Sequence, residues 1–102
     1  MTPTQRSLKY LRDAGYTVAI VEHWNSFARI RQDLFGIIDL LAVRGTETLG
    51  VQTTSSTNVA ARIRKLEESP MLSLLREANW SIHVHGWRKV GNRWQVRIVD
   101  IS

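Results

Sequence analysis

The chain has 102 residues, 43% of them apolar, no cysteine, and a formal charge of +5 from fourteen Lys and Arg against nine Asp and Glu. That length buries one core rather than two, so residues 1–102 read as a single domain, and the missing cysteines exclude disulfides, thiolate metal sites and a cysteine nucleophile. No apolar run reaches the length of a membrane span and the N-terminus has no signal-peptide pattern, so an intracellular, cytoplasmic protein without a membrane partner is expected.

Arg dominates the cations, and its planar guanidinium suits bidentate phosphate contacts and stacking. The charge therefore points to nucleic acid, with a merely soluble basic surface as the alternative. Thr2, Pro3 and Gln5 have the spacing of a capping box with proline in the first turn. Leu8, Tyr10, Leu11 and Ala14 follow as an apolar stripe that Gly15 ends, which predicts a first helix. Tyr16 to His23 is β-branched and apolar, a strand. Residues 24–34 lack a clean period and read as a loop or a hairpin extension.

Ile37 to Val43 is a nearly continuous apolar run, the pattern of a strand buried on both faces. Residues 44–47 turn the chain, and Thr48 to Thr54 forms the antiparallel return. Ser55 to Asn58 offers several caps to a helix carrying Val59, Ile63 and Leu66 on one face. Ser69-Pro70 opens a further short helix with Leu72, Leu75 and Ala78. Two alternating strands close the chain, one with Trp80, Ile82 and Val84 on a face, the other with Trp94, Val96 and Ile98, joined at Gly91-Asn92. The expected class is α/β with a central sheet.

Asp39 and Gln52 lie in apolar strand segments, where an unpaired carboxylate or amide is costly to bury. A short hairpin brings them together. Two oxygen-bearing side chains at strand ends in a basic protein suit magnesium-dependent phosphodiester hydrolysis, which needs hard oxygen ligands and a cation for the developing charge. The stretch Gln52 to Asn58 has seven consecutive hydroxyl or amide side chains. It leads into a helix N-terminus, so Thr54, Ser55 and Asn58 are candidate phosphate contacts.

With Asp39 on one strand and Gln52-Thr53-Thr54 on the next, after a helix and a first strand, the chain resembles the PD-(D/E)XK nuclease superfamily. The resemblance runs from the first helix to about residue 86. It implies a restriction-endonuclease-like αβββαβ core, a mixed sheet flanked by helices, with one extra C-terminal strand here. Asp39 falls at the position of the superfamily's metal-binding Asp and Gln52 at that of its Glu, where a carbonyl still ligates a metal with less charge. Thr54 stands where Lys is expected. Some members place that lysine on the following helix, and Lys65, one turn from Arg62, is the candidate replacement; it reads equally well as a solvated helix charge. Glu22 matches the acidic residue that several resolvase-like members carry, with a strand-end surface carboxylate paired with Arg29 or Arg31 as the alternative, while Asp33, a rival to Asp39, reads rather as a structural or supporting group.

The resemblance implies a Mg2+- or Mn2+-dependent endodeoxyribonuclease of phage or mobile-element type. Asp39, Gln52 and Glu22 are the expected ligands. Arg29, Arg31, Arg62, Arg64, Arg88 and Lys89 are expected on the DNA backbone. The small size favours a structure-selective enzyme acting on branched or duplex DNA, and resolvases of this superfamily are homodimers. The alternative is a non-catalytic nucleic-acid-binding module that kept the fold, supported by Gln52-Thr53-Thr54. Trp24 and Trp87, at strand ends among polar residues, read either as base-stacking groups or as buried anchors. Trp80 and Trp94 follow the apolar phase and are expected in the core. His83 and His85 share a face, but no third zinc ligand accompanies them.

Overall fold

The first helix starts where the sequence places it. Thr2 Oγ1 accepts from the Gln5 N–H and the Gln5 side chain accepts from the Thr2 N–H, a reciprocal cap worth about 1 kcal/mol. The computed structural model describes residues 1–102 as α1 (Pro3–Asp13), β1 (Thr17–Ile20), β2 (His23–Asn25), β3 (Ile30–Gln32), β4 (Leu40–Arg44), β5 (Glu47–Ser55), a 3-10 turn (Ser56–Asn58), α2 (Val59–Glu68), α3 (Pro70–Glu77), β6 (Ser81–Val90) and β7 (Arg93–Asp100).

Five strands form one mixed sheet in the order β1-β4-β5-β6-β7, with β5 and β6 parallel and the other pairs antiparallel. Helices cover both faces. On one side Leu11 of α1 packs with Val18, Leu40, Ala42, Leu49 and Val51. On the other, Val59 and Leu66 of α2 and Leu72 and Leu75 of α3 pack on Ile37, Ile38, Ile82 and Val84. Along β5, Leu49 and Val51 face the α1 layer, while Gly50 on the other face lies under Ile38 and Ile82. No helix is long and apolar enough to cross a membrane.

Several expectations are corrected. The first strand ends at Ile20 rather than His23, although Val21 N–H still donates to the Asp39 carbonyl. Residues 24–34 resolve into the hairpin reading, since β2 and β3 pair with each other alone. The strand expected from Ile37 begins only at Leu40. Ile37 and Ile38 are buried instead in a tight turn, where Phe35 and Gly36 both have positive φ and Leu34 bridges to Ile38. The caps expected before α2 do not operate: Asn58 makes no side-chain cap bond, because the 3-10 turn carries the chain into the helix. Trp94 is 45% exposed and Ile98 39%, because β7 is an edge strand outside the core cluster on the α1 face. The Arg6 guanidinium stacks on the Trp94 ring at 3.6 Å instead.

Gly86 is set by packing. A Cβ there would run into Val59 Cγ2 and lie 3.1 Å from the backbone of Ser56. Only glycine lets the 3-10 turn lie against β6.

Candidate functional site

Strand directions collect the polar groups at one end of the sheet. β1, β5 and β6 run the same way and β4 and β7 the opposite way, so the C-termini of the first three and the N-termini of the other two share an edge. Asp39 sits there with its N–H donating to Val51 O and its carbonyl accepting from Val21 N–H. These two bonds pin the residue between the β1 and β5 chains. They also bring Glu22, one residue past Val21, to the same place. The Leu34–Ile38 bridge closes a loop whose flanking residues are Asp33 and Asp39, so this second carboxylate arrives from a tight turn.

Glu22, Asp33 and Asp39 each present a carboxylate oxygen, and the three atoms lie within 4.8 Å of one another. They line a cavity of about 560 Å³ together with Thr2, Pro3, Thr4, Arg31, Thr53, Thr54, Ser55, Arg62 and Lys65. Lys65 Nζ is 3.9 Å from Asp33 and Arg31 donates to Glu22 at 3.1 Å. The wall is thus three acids facing three cations, with hydroxyls between.

Asp39 is 3% exposed, and its Oδ2 takes three donors: Gln52 Nε2 at 2.7 Å, Thr53 N–H at 2.8 Å and Thr53 Oγ1 at 3.2 Å. Burial pushes its carboxyl up to about 7; the Thr53 N–H opposes this, while the Asp33 and Glu22 carboxylates reinforce it. Thr4 Oγ1 donates to Glu22 at 3.0 Å and lies 2.8 Å from Thr53 Oγ1. The two threonine hydroxyls have two protons for three contacts, so the chain from Glu22 to Asp39 is complete only when a carboxyl, the raised Asp39 above all, carries the third.

The expected residues are distributed unevenly. Asp39, Glu22, Arg31, Thr54, Ser55, Arg62 and Lys65 reach the cavity. Gln52 is fully buried behind it: its amide nitrogen holds Asp39 and its Oε1 has no partner. Asn58 and Thr57 bond Ser55 at 3.1 Å each, so this hydroxyl cluster satisfies itself beside the wall. Arg29, Arg64, Arg88 and Lys89 are exposed and lie outside the cavity. Trp87 is buried, and its indole N–H donates to Ser7 Oγ at 2.8 Å, as an anchor does. The same Ser7 hydroxyl meets His85 Nδ1 at 2.9 Å. Accepting from Trp87 leaves its proton for that nitrogen. This pair docks α1 on β6 and sets Thr4, one turn earlier, at the cavity.

Three contributors escaped the sequence reading of the site. Asp33 was legible only as a supporting group, although its spacing from Asp39 around Phe35-Gly36 is a turn signal. Thr53 stood out only as one of the hydroxyl run from Gln52 to Asn58 and Thr4 not at all, because their meeting depends on how α1 lies on the sheet.

Searches against protein-family models, curated proteins and solved structures each find no match for the chain.

Proposed function

We propose that the protein is a metal-dependent nuclease that hydrolyses DNA phosphodiester bonds. The observation that carries this reading is the triad of carboxylate oxygens within 4.8 Å, in a cavity whose other wall is Arg31, Arg62 and Lys65. Hard oxygen donors at that spacing suit magnesium or manganese. Crowding two acids, Glu22 and Asp33, against the nearly buried Asp39 also leaves a need for positive charge that a divalent ion meets.

Glu22, Asp33 and Asp39 would hold the ion, and Gln52 would orient Asp39 through its amide. When bound, a divalent ion polarises the phosphoryl oxygen and acidifies an attacking water. Arg62 and Lys65, at i and i+3 on α2, would meet a phosphate in the cavity, and Thr54 and Ser55 offer hydroxyl donors. The element order α1, β1, β4, β5, α2, β6, with the β2–β3 hairpin, α3 and β7 as additions, supports the restriction-endonuclease-like reading. Selectivity for branched DNA and action as a homodimer belong to the same proposal.

A second reading, a nucleic-acid-binding module without catalysis, is favoured by one observation: Asp39 Oδ2 already accepts three hydrogen bonds. Labelled branched and linear DNA incubated with magnesium or manganese decides between them. Cleavage that is abolished by EDTA and by Asp39→Asn supports the nuclease. No cleavage of any substrate, with binding indifferent to EDTA, assigns the module instead.

A further inference from the structure

The hairpin β2–β3 leaves the sheet at the end that holds the acidic triad. It follows Glu22 directly and returns at Asp33, so two triad members are its two feet. Arg31 ties one foot through its bond to Glu22. The tip is a four-residue loop, Ser26 to Arg29, in which Asn25 Oδ1 accepts from the N–H groups of Phe27 and Ala28. That side-chain cap orders the tip. Phe27 nevertheless lies wholly in solvent, and Trp24, paired across from Arg31, is 59% exposed. A phenyl ring on an ordered tip buries nothing in the folded chain, so folding does not explain it.

No acidic residue lies between Glu22 and Asp33, whereas Arg29 and Arg31 do. The β6–β7 hairpin rises from the same end at the opposite edge of the sheet. It runs from Arg88 to Val90 beyond the last β5 pair, about 10 Å of strand, and carries Arg88, Lys89 and Arg93. The triad therefore lies between two basic hairpins, one of them tipped by an apolar ring.

We propose that Phe27 is a wedge that inserts between bases of a DNA strand whose backbone lies in the acidic cavity. The inference rests on the nucleic-acid reading above and adds to it the residue that selects distorted DNA. Basic side chains hold the phosphates on either side, and the ring exchanges water for base faces at a step that is already unstacked. Opening such a step costs less than opening a regular duplex, so branched or nicked sites are selected.

The test uses a synthetic forked duplex with 2-aminopurine at the branch, bound in calcium. Wild-type protein is expected to raise the fluorescence about threefold as the base unstacks. Phe27→Ala should lose most of that rise with an unchanged circular dichroism spectrum, and Phe27→Leu should keep it, since leucine also serves as a wedge. A wild-type rise in Phe27→Ala overturns the proposal. So does sedimentation showing that Phe27→Ala turns a dimer into a monomer, which makes the tip a subunit contact. Unstacking without any magnesium-dependent cleavage upholds the wedge and removes the nuclease reading, whereas failure of the wild type to bind the fork removes both.

Discussion

The Gln52 side chain donates its amide to Asp39 Oδ2 at 2.7 Å, while its own carbonyl oxygen is buried without a partner. An amide in this place neutralises nothing but satisfies one lone pair of a buried carboxylate, at the cost of orphaning its oxygen. Gln52 therefore stabilises the metal-free chain by avoiding a second buried acid.

Gln52→Glu tests this directly. A carboxylate facing Asp39 adds like-charge repulsion in a desolvated site, so the metal-free variant is expected to melt about 5 °C or more below wild type at pH 8. Saturating magnesium should recover part of that loss, because an ion held by Glu22, Asp33 and Asp39 offsets the added negative charge beside Asp39. Differential scanning calorimetry with and without magnesium reads both effects. An identical melting temperature in the two conditions would show that no ion binds beside Asp39.

The raised Asp39 carboxyl makes a linked prediction. The folded chain holds its proton to about 7 whereas an unperturbed carboxyl releases it near 3.8. Between those values the folded state binds the extra proton, so this stabilisation is present below the lower value and is lost as pH rises through the upper one. Metal-free protein should lose stability from pH 5 to 8, and Asp39→Asn should flatten the slope while abolishing magnesium binding by calorimetry. Magnesium should stabilise wild type more at pH 8 than at pH 6, since the ion competes with that proton.

Lys65 separates catalysis from stability. Its contact with Asp33 is long, at 3.9 Å, and half-exposed, so Lys65→Ala should change stability by no more than about 0.5 kcal/mol. If it faces the phosphate in the transition state, cleavage should fall about 100-fold or more, with Lys65→Arg partly restoring it. Activity near wild type in the alanine variant would return Lys65 to the solvated charges of α2.

His85 titrates in the other direction. Burial, reinforced by the neighbouring His83, lowers its imidazole from 6.5 to about 4. Its contribution to stability is complete above about 6.5 and is lost as pH falls towards 4, because the unfolded chain takes up a proton that the folded chain refuses. This opposes the Asp39 effect over the same range. Imidazole NMR resonances should show His85 neutral at pH 5.5, and a midpoint above 6 would contradict the buried Ser7–His85 contact.

Gly86→Ala probes how the cavity wall is held. The added methyl meets Val59 and the Ser56 backbone, an overpacking that should cost about 2 kcal/mol in urea denaturation. It should also lower cleavage beyond what the stability loss explains, because the displaced turn directly follows Ser55 at the cavity wall.

Local chemistry wrote much of this fold into the chain. The Thr2–Gln5 cap, the Ser69-Pro70 break, the Gly91-Asn92 connection and the antiparallel pairing that brings Gln52 to Asp39 all join residues within one element or across one turn. The Phe35-Gly36 turn was equally local, yet the apolar run around it resembled strand, since buried turns and buried strands share the same residue types. What depended on tertiary structure was the partnership of distant segments. Thr4 meets Thr53 only because Ser7 docks α1 onto His85 and Trp87, and Lys65 meets Asp33 only because α2 crosses the sheet beside a loop. The same docking buried Trp87 and left Trp94 in solvent, although both follow strand patterns. Periodicity states which face of an element is apolar; which face finds a covering helix is decided by the packing of the whole chain.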